Sequence, residues 1–173
     1  EHILKKYNQE CIFGKKRIRI VAICGSSNVL GTFNDIEAIS KIVHKYNARL
    51  LVDGAQLTSH RSVNMDKCDI DYFTFSGHKI YAPFGSGALI IKKKHIHMDD
   101  SELESIRISG EENIAGIAAL GKSITLLQRI GMNVIENLEK VLVHRLLKGL
   151  SGINGIEIFG IRDSNSEKLS QKG

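Results

Sequence analysis

Three short blocks gather the side chains able to do polar chemistry. The first is Ser26-Ser27-Asn28, the second is Asp53 with Gln56 and, further on, His60, and the third is Ser76 with His78 and Lys79. Together they offer hydroxyls, amides, a carboxylate, imidazoles and one amine. Gly54 and Gly77 lie inside the second and third blocks, where a missing side chain admits close backbone approach. Each residue alone has an ordinary reading. Asp53 suits a turn or a helix cap, Lys79 a solvated strand end, and His60 a surface position or a satisfied hydrogen bond. As a set they fit a different task. An amine can attach to an aldehyde, a carboxylate can hold a proton on a ring nitrogen, and hydroxyl and imidazole donors can bind a phosphate.

Such a set works only if the elements carrying it end at one place. Arg17 to Ile23 alternates and then turns wholly apolar, which predicts a buried strand that takes Cys24 into the core. Ile36, Ile39 and Val43 recur at helical spacing, with Asn34 as the expected cap, Glu37 completing a capping box and Asn47 as the stop. Arg49-Leu50-Leu51-Val52 is the next strand, ending at Asp53, so the first unit reads as βαβ with two parallel strands. A third strand, Asp71 to Phe75, ends at Ser76, and a fourth covers Ser86 to Ile91. The gap between them holds Pro83 and Gly85 and is too short for a helical crossover, so the fourth strand should be antiparallel. Two helices follow. Ile114, Ile117, Ala118, Ile124 and Leu127 mark the first, with Gly131 as its stop. Ile135, Leu138, Leu142 and Leu146 mark the second, from Met132 to about Leu150, and Ile156 to Phe159 reads as a strand opening another unit. In an open α/β sheet, ligands sit at the carboxyl ends of the strands, which is where all three polar blocks fall. The cofactor that this combination suits is pyridoxal phosphate.

Composition narrows the class. With 173 residues, 42% hydrophobic and 25% charged, the chain is long enough for one domain plus a remnant and too apolar for disorder. The net charge of +5 lies mainly in Lys15-Lys16-Arg17 and Lys92-Lys93-Lys94. No aromatic residues interleave with either run, so no nucleic-acid surface is expected. No apolar run is long enough for a membrane helix, and no secretory signal opens the chain. Cys11, Cys24 and Cys68 form no CxxC pair, which favours a reducing, cytoplasmic setting with each thiol buried. His95 and His97 lie near Asp99 and Asp100, but spacing places no third ligand, so no metal site is expected. The missing initial Met and the ending at Gly173 read as those of a fragment.

The blocks Leu51-Val52-Asp53-Gly54-Ala55-Gln56, Phe75-Ser76-Gly77-His78-Lys79, Tyr81-Ala82-Pro83 and Gly85-Ser86-Gly87 resemble the class V aminotransferase family, and within it the cysteine desulfurases. Ser27 to Thr32 and Asn113 to Ile117 match the same pattern, and the resemblance runs from about residue 17 to 160. It implies a three-layer α/β sandwich with a mostly parallel sheet, the large domain of a fold-type I pyridoxal phosphate enzyme. It also implies roles: Lys79 as the Schiff-base lysine, Asp53 beside the pyridinium nitrogen, Gln56 at the phenolic oxygen and Ala55 against the ring face. Ser76 and His78 would bind the phosphate, and Asn28 would lie near the cofactor and the substrate carboxylate. An amino-acid substrate, a homodimer and, for a desulfurase, a sulfur-acceptor protein follow from the same resemblance. Residues 1–131 would belong to the cofactor domain and 132–173 to an interdomain helix and the start of a second domain. Glu111-Glu112 stands where the family places a threonine directed at a neighbouring subunit's phosphate, and a carboxylate repels phosphate. The ring-stacking segment, the carboxylate-binding arginine and the reactive cysteine of desulfurases have no counterpart in these residues. The rival expectation is therefore a non-catalytic fragment or pseudoenzyme that serves as a binding partner.

Overall fold

A computed structural model of the chain describes residues 1–83, 85–108 and 112–166. A helical start, α1 (His2–Leu4), runs on through a wider turn at Lys5–Gln9. Then come β1 (Ile20–Cys24), α2 (Ile36–Lys45), β2 (Arg49–Asp53), β3 (Tyr72–Ser76), β4 (Gly87–Ile91), α3 (Asp100–Arg107), α4 (Ile114–Ile130) and α5 (Met132–Leu150). The four strands form one sheet in the order β1-β2-β3-β4. The first three run parallel and β4 returns antiparallel to β3, as the short Pro83–Gly85 gap demands.

Register sorts the side chains into two faces. Leu50, Val52, Phe73 and Phe75 share one face and are almost wholly buried. Val43 of α2 and Leu120 and Leu127 of α4 join the same cluster. Each fully buried aliphatic side chain contributes about 1.5–3 kcal/mol, so this face holds the elements together. Asp53 lies on the opposite face, in register with Cys24 and Thr74.

Several local expectations differ from what forms. β1 is shorter than expected and lies at the edge of the sheet, with Ile20 half-exposed. One neighbouring strand cannot cover both of its faces. Cys24 is exposed for that reason, as is Cys11 on its turn, while Cys68 is half-buried. Asp35, not Asn34, caps α2, accepting from Ala38 N–H at 2.9 Å. Asn34 is used elsewhere: its side chain donates to the Cys24 carbonyl at 2.7 Å and ties the loop to the end of β1. Glu37 pairs with Lys41 instead of closing a capping box. α3, which the apolar pattern does not mark, carries a true capping box between Asp99 and Glu102. Ile156 to Phe159 forms no strand among the described residues, since a strand exists only where its N–H and C=O groups meet a partner strand. The stop at Gly131 forms as expected, with its φ of 89° in the range that favours glycine. Glu111 lies outside the described residues, and Glu112 is exposed.

Candidate active site

Because β1, β2 and β3 are parallel, their carboxyl ends reach one edge of the sheet. Each then hands over to a tight connection that carries a polar block.

After β1, Ser27 Oγ accepts from Val29 N–H at 3.3 Å and from Leu30 N–H at 3.1 Å. Ser27 N–H in turn reaches Thr32 O at 2.9 Å, and the closed loop holds Asn28 on the surface. After β2, Asp53 Oδ1 accepts from Ala55 N–H at 2.9 Å, so the carboxylate is fixed by its own turn. Gly54 is required between them: a Cβ there would lie 2.2 Å from the Phe73 ring. After β3, the chain coils into a short 3-10 turn, Gly77–Ile80, that carries Lys79. Ile80 is fully buried beneath it, and the Ser123 hydroxyl of α4 donates to the Ile80 carbonyl. Gly77 N–H donates to Ser86 O at 2.7 Å, pinning the start of the turn. A side chain at Gly77 would collide with that same carbonyl, at 2.8 Å.

These three connections enclose a cavity of about 210 Å³ lined by Cys24, Ser26, Asn28, Asp53, Ala55, Gln56 and Lys79. Five of the seven residues expected at the site therefore share one wall: Asn28, Asp53, Ala55, Gln56 and Lys79. Ser76 and His78 are not among the lining residues. Ser76 ends β3 opposite Gly87, and His78 is exposed beside Lys79. Ser26, in the first polar block, lines the wall as its place at a strand end implies, whereas Cys24 is a wall residue that sequence reasoning misses. The apolar run before Cys24 points to the core; its register with Asp53 on the adjacent strand is what brings it to the cavity.

A larger hollow of about 430 Å³ lies by Arg17, Arg19 and Arg49 at the amino ends of β1 and β2, and no carboxylate or lysine lines it. The smaller cavity is the place where amine, carboxylate, amides and hydroxyl converge. An amine and a carboxylate placed together can, respectively, attach to an aldehyde and stabilise a neighbouring positive charge.

The same edge is also tied to α5. The Gln56 amide lies 3.1 Å from His60 Nε2, and His60 Nδ1 lies 2.6 Å from Glu139 of α5. Among the described residues, no helix is long and apolar enough to cross a membrane, and no group of three or more potential ligands could hold a metal ion. His95 is engaged by Asp71 at 2.6 Å.

Comparison with known proteins agrees with this architecture. A cysteine desulfurase from Wigglesworthia glossinidia brevipalpis is 36% identical over 82% of the chain and 40% of its own length. A "Probable cysteine desulfurase" from Halalkalibacterium halodurans is 34% identical over 84% of the chain and likewise 40% of its own length. The chain thus spans about 40% of these relatives. Among solved structures, the apo cysteine desulfurase from Thermococcus onnurineus superposes with a TM-score of 0.75 at 28% identity, over 89% of the chain and 42% of that structure. The family described as Aminotransferase class-V matches residues 10–170. With both the sequence match and the arrangement of its strand ends in agreement, the chain belongs to the class V aminotransferase family.

Proposed function

We propose that the protein acts on an amino acid as a pyridoxal phosphate-dependent enzyme of the cysteine desulfurase kind, with this chain supplying the lysine and the carboxylate. The observation that carries the reading is that Lys79 and Asp53 line one cavity at the edge where three parallel strands end. The donor set fits the cofactor: an amine, a carboxylate, two amides and a hydroxyl, with the small Ala55 beside them.

Lys79 is the amine that would hold the aldehyde carbon. The Asp53 carboxylate would keep a proton on the ring nitrogen, since a nearby negative charge favours the cationic form. The Gln56 amide would meet the phenolic oxygen, and Ala55 would leave room for the ring face. Asn28 would lie toward the substrate carboxylate. Ser76 and His78, on either side of Gly77, would donate to the phosphate. When bound, the cofactor supplies an electron sink for bond breaking at the substrate's α-carbon. Lys79 Nζ would take and return the proton at that carbon, a general acid/base role that requires the amine to give up its own proton.

Cysteine is the substrate this reading favours, because the relatives carry that activity in their names. A homodimer, a sulfur-acceptor protein and a cytoplasmic setting belong to the same proposal, as does a division after residue 131 into a cofactor unit and the start of another. A second reading, a non-catalytic binding partner, draws on the exposed Leu138, Val141, Leu142 and Leu146 of α5. One assay separates them. The intact protein loaded with pyridoxal phosphate and given L-cysteine should release alanine and sulfur. A keto acid instead would indicate amino transfer. Full cofactor occupancy with no product from an amino-acid panel would favour the non-catalytic reading.

A further inference from the structure

The cavity wall is connected to α5 by a chain of hydrogen bonds that runs through neither Lys79 nor Asp53. Gln56 lines the cavity, and its Nε2 lies 3.1 Å from His60 Nε2, four residues along the same turn. His60 Nδ1 lies 2.6 Å from Glu139 Oε1. The other oxygen of Glu139 accepts from Arg61 Nη1 at 2.7 Å. Three of these side chains are largely withdrawn from solvent, with exposures of 26% for His60, 20% for Glu139 and 11% for Arg61. Arg61 also stacks its guanidinium over the Phe33 ring at 4.3 Å, and its Nε faces Glu136 at 3.9 Å. Glu136 is itself paired with Lys140 at 2.7 Å. Among the described residues, the charged groups linked to the imidazole through this network include Glu139, Glu136 and Lys140 from α5 and Arg61 from its own turn.

Hydrogen-bond chemistry then restricts the states of this chain. A carboxylate held by arginine only accepts, so His60 Nδ1 must carry the hydrogen on the Glu139 side. That leaves Nε2 with two options. With a lone pair, it accepts from the Gln56 NH₂, and the amide carbonyl is the end left for the cavity. With a proton, it donates, so Gln56 must turn its carbonyl to the ring and its NH₂ to the cavity. The two ends of the amide have opposite polarity, so the cavity meets either an acceptor or a donor.

We propose that His60 and Glu139 are positioning residues that decide which end of the Gln56 amide faces the cavity. The proposal rests on the reading that Gln56 meets the phenolic oxygen of the cofactor. It adds that α5 sets the polarity of that contact from 79 residues away in sequence. α5 also lies against the Asn28 loop, since Val143, Leu146 and Leu147 share a hollow with Asn28, Leu30 and Gly31. A shift of this helix would therefore be felt at two points of the cavity wall.

Two measurements on the intact protein test the relay. The first needs no cofactor: ¹⁵N-histidine labelling reads the protonation of each His60 nitrogen. Glu139→Gln, nearly isosteric, should remove the Nδ1–H preference and change the His60 ring signals, and Gln56→Ala should move the Nε2 signal. Unchanged ring signals in both variants would overturn the relay, whether or not the cofactor binds. The second follows the absorbance of bound pyridoxal phosphate against pH. His60→Ala and Glu139→Gln should each move the absorbance profile and weaken cofactor binding about tenfold, the loss expected for one misdirected charged hydrogen bond. His60→Gln, which restores an amide partner, should recover part of the affinity but not the pH profile. Profiles identical to the unsubstituted protein would show that the relay stops short of the cavity and would overturn the proposal. A protein that binds no pyridoxal phosphate at all would sink the functional reading, while the labelling experiment would still decide the relay.

Discussion

The Asp71 carboxylate and the His44 imidazole meet at 2.6 Å, at the end of the sheet away from the candidate site. Asp71 precedes β3, whereas Lys79 follows it. The carboxylate is 1% exposed and takes further hydrogen bonds from His95 Nε2 at 2.6 Å and Leu50 N–H at 2.8 Å. It joins α2, the start of β2 and the segment after β4 at one point.

This clamp predicts an acid-sensitive fold. Burial pushes the Asp71 carboxyl up, but the hydrogen bonds from His44, Leu50 N–H and His95 outweigh it and hold the group at about 2. A carboxylate held below its ordinary 3.8 contributes stability above that value and loses it as pH falls toward about 2. The contribution is about 2 kcal/mol. Asp71→Asn should flatten the stability profile across that window, as read by denaturant melts at stepped pH. An unchanged acid slope would mean that Asp71 is not the responsive group.

Gly54 is expected to tolerate no side chain. A Cβ would meet the Phe73 ring at 2.2 Å, and Phe73 is itself buried. Gly54→Ala should destabilise the protein by about 1–3 kcal/mol. A thermal melt within a degree of the unsubstituted protein would refute the packing described for this turn.

Asp53→Asn separates charge from shape. Asparagine keeps an oxygen for the Ala55 N–H, so the turn should survive. It cannot bear the negative charge that would hold the ring nitrogen protonated. Cofactor should still attach, while turnover in the intact protein should fall by at least about a hundredfold, or roughly 3 kcal/mol of barrier. Single-turnover rates near normal at full occupancy would mean that Asp53 does not face the ring nitrogen.

Much of this arrangement was legible in the sequence because it is local. The apolar blocks that end at Asp53 and Ser76 define strand ends, and Gly131 ends α4 where a left-handed residue is needed. The antiparallel return of β4 followed from the length of one gap. The misreadings concern choices that local pattern does not make. Asn34 and Asp35 are both able to cap a helix, and what decides between them is the bond from Asn34 to Cys24 O. Cys24 follows an apolar run, yet its exposure depends on β1 being an edge strand. The partners of His60 and His95 lie far away in sequence, at Glu139 and Asp71, so no spacing rule would find them.

The central claim is that Lys79 is the amine through which the site holds its cofactor. Borohydride reduction of the intact protein in the presence of pyridoxal phosphate, followed by peptide mapping, tests it most directly. The account predicts one stable adduct, on the peptide containing Lys79, and its loss in Lys79→Ala. An adduct confined to another lysine, or none at all, would contradict it.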